Sequence, residues 1–376
     1  MSIGIVKNGS VSKVHKVYKP IKLIIPDLLF DELVTGVFSG EGIVSIDDSI
    51  TSIGSYFLYK IPSPGLRNVT ADKVTSVANY GMSECYIDEV NLGSKATVSS
   101  TTLSIGNYAF YNSILKKVVL PENTAIGERA FYLDYSAGSS KIKSLTDINT
   151  KNIISVGTYA FYNQRGIEIL DLSNVTSMGT YAFATVATVS DNSPDLTTVI
   201  FDKLTSIPNR AFNGQTNISS ITFGSVTTIG EYAFNGSKIT EISNNCISTI
   251  DASTFKGCTL LEEVNLPALT RFMGTDVFNG CTSLRKVDLG ASLITLANSR
   301  TFSGCTSLDT LIIRKTNGVA GINTNSTILN TPINSGTGYI YVPGDLIESY
   351  KAASSWASFV NQFRAIEDYP DICGST

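Results

Sequence analysis

Three cysteines stand three residues after a phenylalanine in "FKGCTLLEEVNL", "FNGCTSLRKVDL" and "FSGCTSLDTLII": Cys258, Cys281 and Cys305. Thiols at one spacing raise the question of a metal, because zinc takes thiolates in a tetrahedron. Stacked at a single position, these three lack a converging fourth ligand. The sequence therefore predicts buried thiols acting as small hydrophobes. None has a basic neighbour to activate it, and no CxxC pair occurs among the six cysteines. His15 is the single histidine, and no GxSxG elbow accompanies it, so a Ser-His-Asp system is not expected. Glu262-Glu263 and Asp47-Asp48 are adjacent carboxylate pairs that a glycosidase could use. Neighbours on a strand point to opposite faces, so neither pair is expected to act jointly. No GxxxxGK or GxGxxG phosphate loop occurs. "DLSNVT" and "SDNSPD" lack the closing Glu of a calcium loop. Asn68, Asn174 and Asn217 open N-x-S/T triplets, which a Ser/Thr/Asn-rich chain produces by chance. The expectation is no catalytic constellation, no metal and no cofactor.

The elements that position these residues come from a repeated phrase. "SIGNYAFYNS", "SVGTYAFYNQ" and "TIGEYAFNGS" share an Ile or Val, a Gly, a small residue and an aromatic. The aromatic series runs Phe57, Phe110, Phe131, Phe161, Phe183, Phe212, Phe234, Phe255, Phe278 and Phe302, with Met82 filling one gap. Most intervals are 21 to 24 residues, and the longer ones hold Ser-, Gly- and Thr-rich inserts such as "GSKATVSSTT", "DYSAGSSKIKS" and "ATVATVSDNSPD". After each aromatic comes a turn, then an apolar residue and a short alternating stretch, as in Leu261, Val264 and Leu266. Alternation predicts a half-exposed strand, and the "IGEYAF" stretch predicts a tight turn. One such coil cannot bury its own apolar side; stacked copies bury each other's, aromatic on aromatic.

The totals agree with such a chain. Of 376 residues, 43% are hydrophobic, enough for a core, while 16% are charged, so Ser, Thr, Asn and Gly must supply the exterior. The net charge of −4 argues against nucleic-acid binding. Lys7, Lys13, Lys16, Lys19 and Lys22 are expected to form a solvated face. The N-terminus has no apolar core followed by a cleavage site, so it does not read as a signal peptide. No run of eighteen apolar residues occurs, so membrane insertion is not expected.

The unit in Ser104 to Phe131, "SIGNYAFYNSILKKVVLPENTAIGERAF", and that in Cys258 to Phe278 resemble the BspA-like leucine-rich repeats of bacterial surface proteins. Recognisable copies cover most of residues 45 to 315. The resemblance implies a mainly β fold with short helical turns: a right-handed leucine-rich-repeat solenoid of about eleven coils, capped at both ends. It implies a surface-exposed or secreted adhesion or interaction module, from gut or oral bacteria, that binds a host or bacterial surface protein or a glycan. It carries no catalytic residues over. No wall-sorting motif follows the repeats, and "SKVHKVYK" faintly resembles strands of phage tail proteins. The alternative is therefore a structural part of a larger assembly, such as a phage tail or surface layer, and a virion-associated location.

Three segments follow: 1–44, an N-terminal non-repeat segment or cap; 45–315, the repeats; 316–376, a C-terminal cap with a short strand and helices. In the last, Gly344 or Asp345 and Ser354 or Ser355 can begin helices, and Tyr350, Trp356, Phe359 and Phe363 can face the final coil. "YVP…Y…W" tails of this kind also follow repeats in the resembled family. Outward strand residues vary from copy to copy. Lys116, Glu168, Glu241, Glu263, Lys286 and Asp309 are the candidate recognition face.

Overall fold

The computed structural model describes residues 22–25, 42–46, 48–61, 66–92, 102–134, 145–186, 195–296, 299–322 and 325–374. His15, Asp47, four of the five N-terminal lysines and nearly all of the three quoted inserts lie outside these residues. The chain divides into two compact units, 1–171 and 172–376. It is mainly β, with parallel strands in stacked sheets and few, short helices.

In the first unit one parallel sheet takes Lys22–Ile25, Gly42–Ile46, Leu66–Ala71, Tyr86–Leu92, Ile114–Val119 and Asp147–Ile148 in chain order. A second takes Ser52–Ile53, Ser76–Val77, Leu103–Ile105, Thr124–Ile126 and Ile153–Val156. Each coil thus gives one strand to each sheet, and equivalent residues pair: Val90 with Val118, Ile105 with Ile126. The second unit repeats the plan. Glu241–Ser243, Glu263–Leu266, Lys286–Leu289, Thr310–Ile313, Tyr339–Val342 and Phe363–Ala365 form its longer sheet, while Ser206–Ile207, Thr228–Ile229, Thr249–Ile250 and Arg271–Phe272 form the shorter one.

Inside each unit the aromatics stack as the spacing predicts. Phe110, Phe131 and Phe161 lie ring on ring at 4.9 and 5.0 Å. In the second unit Phe183, Phe212, Phe234, Phe255, Phe278 and Phe302 form a column at 5.2–5.8 Å. Phe201, Phe223 and Phe272 meet that column edge-on near 6 Å. All these column rings are buried, and each such pair adds about 0.5–1.5 kcal/mol beyond the area it hides.

One register shifts from the sequence reading. Leu58 N–H donates to Gly81 O as Met82 N–H donates to Ala109 O and Phe110 N–H to Ala130 O. Leu58, not Phe57, is therefore the first member of the core column. Phe57 takes the place that alanine fills elsewhere, although it too is buried.

The turn carrying the aromatic is built from two left-handed residues. The residue two before the column member has φ between 50° and 62° in every described coil: Tyr56, Tyr80, Tyr108, Arg129 and Tyr159 in the first unit, Tyr181, Arg210, Tyr232, Ser253, Asp276 and Arg300 in the second. The residue two after it is also left-handed in most described coils, though not at Leu133 or Thr185. There the second unit uses Gly214, Gly236, Gly257, Gly280 and Gly304, which adopt this region without penalty. The first unit uses Lys60, Glu84, Asn112 and Asn163.

Beyond the last Phe-bearing coil, Gly344–Leu346 and Ser354–Phe359 are 3-10 turns, and Ile347–Ala352 is a helix. Tyr350 and Trp356 are fully buried against Phe363, and Phe359 packs on Trp356. The polar ends of both large rings find the same residue: Trp356 Nε1 donates to Ala320 O at 2.8 Å and Ala320 N donates to Tyr350 Oη at 3.1 Å.

Candidate recognition surface

The stretch following each turn reads buried-out-out-buried-out-buried, as in Leu261 to Leu266, with two successive outward residues ahead of the strict alternation. The six candidate residues fall on the two outward positions. Lys116, Glu168 and Asp309 hold the first and are exposed; Glu241, Glu263 and Lys286 hold the second, with Glu241 exposed and the other two half-buried. They do not form one cluster. In the first unit Lys116 Nζ meets Asp88 at 2.6 Å, an exposed pair of small energetic weight. In the second, Glu241 pairs in register with Glu263, and Glu263 with Lys286. Asp309 Oδ1 accepts from the Thr310 hydroxyl at 2.8 Å.

Glu262 and Glu263 meet at this bend only through a shared arginine. Arg285 hydrogen-bonds Glu263 and also approaches Glu262 at 3.8 Å. The alternation rule holds only once the strand is fully extended, and it starts at Glu263.

Lys286 is engaged by its own chain. Its Nζ donates to Ile372 O at 2.7 Å. Nearby, Arg314 forks onto Asp288 with two 2.8 Å bonds and also donates to Cys373 O. Ile312, Tyr341, Ile366 and Cys373 close into a buried cluster with Tyr369 and Ile372 against it. The segment 366–373 thus lies across the outer side of the strands that carry Asp288, Ile312 and Tyr341, which pair in register.

A second surface went unread in the sequence although its signal was plain: tyrosine recurs two residues before and one after the column member. In the first unit, Tyr56, Tyr80 and Tyr108 stack at 5.4 and 4.9 Å. The Arg129 guanidinium continues the row, 5.6 Å from the Tyr108 ring and 5.0 Å from that of Tyr159. Beside it Tyr111, Tyr132 and Tyr162 stack at 5.4 and 5.0 Å. Tilted contacts of 5.5 Å (Tyr108–Tyr111) and 5.4 Å (Tyr159–Tyr162) join the two rows. Tyr56 is exposed and the others are half-buried. Burial holds the phenols of Tyr80, Tyr111 and Tyr132 above the ordinary tyrosine range, so all three are hydrogen-bond donors at neutral pH. The second unit repeats only the Tyr-Arg-Tyr element, with Arg210 5.6 Å from the Tyr181 ring and 5.0 Å from that of Tyr232.

The cysteines are buried as expected, but they are more than apolar filler. Cys258, Cys281 and Cys305 direct Sγ at the carbonyls of Phe234, Phe255 and Phe278 at 3.4, 3.2 and 3.1 Å. Other side chains do the same from the equivalent place: Ser113 to Met82 O at 2.8 Å, Gln164 to Phe131 O at 2.6 Å, Gln215 to Phe183 O at 2.8 Å. The position is a donor site. The carbonyls of Phe234, Phe255 and Phe278 also accept the turn N–H of Ser237, Cys258 and Cys281 at 3.2, 3.2 and 3.1 Å, so each thiol is a second donor there. At Met82 O the Ser113 hydroxyl takes the carbonyl while Cys85 N–H turns to Ser113 itself, and a buried carbonyl left unmet costs about 1–3 kcal/mol. Burial and the flanking thiols of Cys258 and Cys305 keep the Cys281 thiol well above its ordinary range, and burial pushes that of Cys85 up to about 12. Among the described residues no group of three or more His, Cys, Asp or Glu is placed to hold a metal ion.

Stacked parallel coils, an inward Leu/Val/Phe framework and a variable outward rung define a leucine-rich-repeat protein. The chain belongs to the BspA type leucine rich repeat family, whose repeat region matches residues 36–133, 103–193 and 188–309 in six copies. Among solved structures it is similar to the pneumococcal vaccine antigen PcpA, with 19% identity, 84% of each chain covered and a TM-score of 0.38. It is similar also to a leucine rich cell surface protein from Faecalibacterium prausnitzii A2-165, with 17% identity, 90% of this chain and 92% of that chain covered and a TM-score of 0.36. A leucine-rich repeat protein from Bacteroides ovatus ATCC 8483 matches with 17% identity over 78% of this chain and 88% of that chain, at a TM-score of 0.33. No curated protein matches the chain. Among the described residues no helix is long and apolar enough to cross a membrane.

Proposed function

We propose that this chain is a surface-exposed or secreted interaction module, not an enzyme, that binds a host or bacterial surface protein or a glycan. One observation carries the reading: the backbone rung is constant while the side chains it presents vary in charge along the stack. In the second unit Glu241, Glu263 and Lys286 occupy one rung position in successive strands, above Ile242, Val264 and Val287, which are all buried. Variation outside a fixed core is how a scaffold acquires a recognition face. Membership of a bacterial leucine-rich-repeat family supports the same reading. In this reading residues 45–315 make a right-handed stack of about eleven coils, and 1–44 and 316–376 close its ends so that neither core nor strand edge is left open.

The test is an array of matrix proteins and glycans probed with the whole chain. A variant with Lys116→Glu, Glu168→Lys, Glu241→Lys and Asp309→Lys is probed beside it. Lys286 and Glu263 are left intact because Ile372 and Arg285 already engage them. The expected result is a discrete set of ligands whose binding falls at least tenfold in the variant. A silent array, or ligands held equally by both proteins, would overturn the reading.

A further inference from the structure

One outward row changes character at the end of the second unit's longer sheet. Ser243, Asn265, Asp288, Ile312, Tyr341 and Arg364 pair in register on successive strands. The position is polar through Asp288 and turns apolar at Ile312 and Tyr341, which are 0% and 3% exposed. Residues 366–373 cover these two, and the cluster they close with Ile366 and Cys373 takes in no inward residue of the strands. The interior is shut without them. Leu311, Ile313, Ile340 and Val342 face inward and are fully buried, and Tyr350 and Trp356 close the end of the stack. The outward apolar pair therefore answers to the covering segment, not to coil closure.

The hold on that segment is specific and slight. Pro370–Cys373 is a single helical turn, and the last carbonyls of a helix have no partner inside it. Lys286 Nζ donates to Ile372 O at 2.7 Å, and Arg314 donates to Cys373 O. Asp288 fixes the Arg314 fork in place with two 2.8 Å bonds. Ahead of the turn, Gly344 N–H donates to Glu367 Oε2 at 3.0 Å, and the Tyr369 ring meets Tyr341 edge-on at 5.4 Å. A helix of four residues has no stability of its own, so the segment keeps this shape only while docked. What favours docking is the tether at Ala365, because an attached segment competes at an effective concentration in the millimolar range. The sheet thus carries a receiving site, an apolar pair beside two cations that take main-chain carbonyls, and the chain fills it from within.

Resting on the binding role above, we propose that this outer face is a peptide-docking site and that residues 366–373 are its tethered occupant. The segment is a strap that yields the site to a second peptide of like chemistry: apolar side chains on one helical turn whose last carbonyls are free. The structure then shows the closed state. Closure occupies Lys286, one of the varying outward residues, and opening returns Lys286, Arg314 and the Ile312–Tyr341 pair to a partner. Asp288 already balances Arg314, so the site reads main-chain oxygens and apolar shape over net charge.

The experiment uses the whole chain and a synthetic peptide of residues 366–374, labelled for fluorescence anisotropy and kept under reductant. A released variant carries Ile366→Asp and Tyr369→Asp, which put carboxylates into the apolar cluster and leave the sheet side of the site unchanged. Because the tether acts at roughly millimolar concentration, the free peptide should saturate the released variant below about 1 mM. The parent, its site filled, should bind the peptide at least tenfold more weakly. Adding Lys286→Met to the released variant should weaken the peptide at least fivefold, and the released variant should melt within ~5 °C of the parent. No saturation of the released variant would overturn the inference, as would equal binding by the parent or indifference to Lys286→Met. A released variant that fails to fold would overturn it too, by showing that the segment belongs to the fold. The matrix-protein and glycan array is probed with the released variant beside the parent, and ligands tightened at least fivefold by release support the strap. A silent array with the peptide bound removes the binding role and leaves the docking site standing; array ligands with no peptide bound do the reverse.

Discussion

At the level of single residues, the donor column is the least visible and most consequential feature. Ser113 both donates to Met82 O at 2.8 Å and accepts from Cys85 N–H at 3.0 Å, all inside the core. Ser113→Ala would strand a buried carbonyl and a buried amide and is expected to lower stability by about 2–4 kcal/mol in urea unfolding. Ser113→Cys, which puts there the group that Cys281 supplies elsewhere, should cost clearly less; equal losses would show that the hydroxyl's role is volume alone. The same column sets a pH limit. The Cys85 thiol titrates at about 12 when folded, above the value near 8.5 of an unfolded thiol. The unfolded chain therefore releases this proton first. The stabilisation is complete below about pH 8.5 and is lost as pH rises toward 12. Tyr80, Tyr111 and Tyr132, raised by burial, act in the same direction above about pH 10. Melting curves from pH 7 to 11 should fall on the alkaline side, and Cys85→Ala should flatten the first part of that fall.

The coil turns at the level of elements depend on left-handed residues, and the two units solve this differently. Gly214 has φ +85°, and a Cβ there would sit 2.2 Å from Thr185 O; Gly257 has φ +73° with open space around it. Gly257→Ala should cost about 1 kcal/mol from backbone strain alone, and Gly214→Ala markedly more, as read from urea midpoints. This contrast was only half legible in the sequence. The recurrent Gly after "FN", "FK" and "FS" marked a turn, but whether a neighbour crowds it depends on the preceding coil, which spacing does not reveal. Legibility followed the same line elsewhere. The inward pattern of Phe, Leu and Val was readable because burial imposes one chemistry at one spacing. Leu58 was misplaced by one residue because Phe57 satisfies that rule equally well, and only backbone pairing separates them. The tyrosine rows were written into the sequence at fixed offsets, yet a half-exposed aromatic obeys no burial rule that would single it out. The shared contact of Glu262 and Glu263 with Arg285 was hidden because strand alternation was applied to a bend.

For the molecule as a whole, the ladder makes neighbouring coils share stability. Phe234 lies between Phe212 and Phe255 at 5.2 and 5.8 Å. Replacing it with Lys would bury an unpaired charge and expose both neighbours' faces. Hydrogen exchange should then quicken not only at Phe234 but at the amides around Phe212 and Phe255. Protection lost from its own coil alone would contradict nearest-neighbour coupling.

The C-terminal segment sets one further condition on that surface. Residues 366–373 rest on the row formed by Asp288, Ile312 and Tyr341, and their main chain occupies Lys286 and Arg314. An elongated ligand running from rung to rung along the second unit's longer sheet would meet this segment as a doorstop. On the row of Asp288, Ile312 and Tyr341 it could not pass, whereas Asp309, on the first outward position, stays exposed, so along that row the stretch open to a partner is shorter than the stack that supports it.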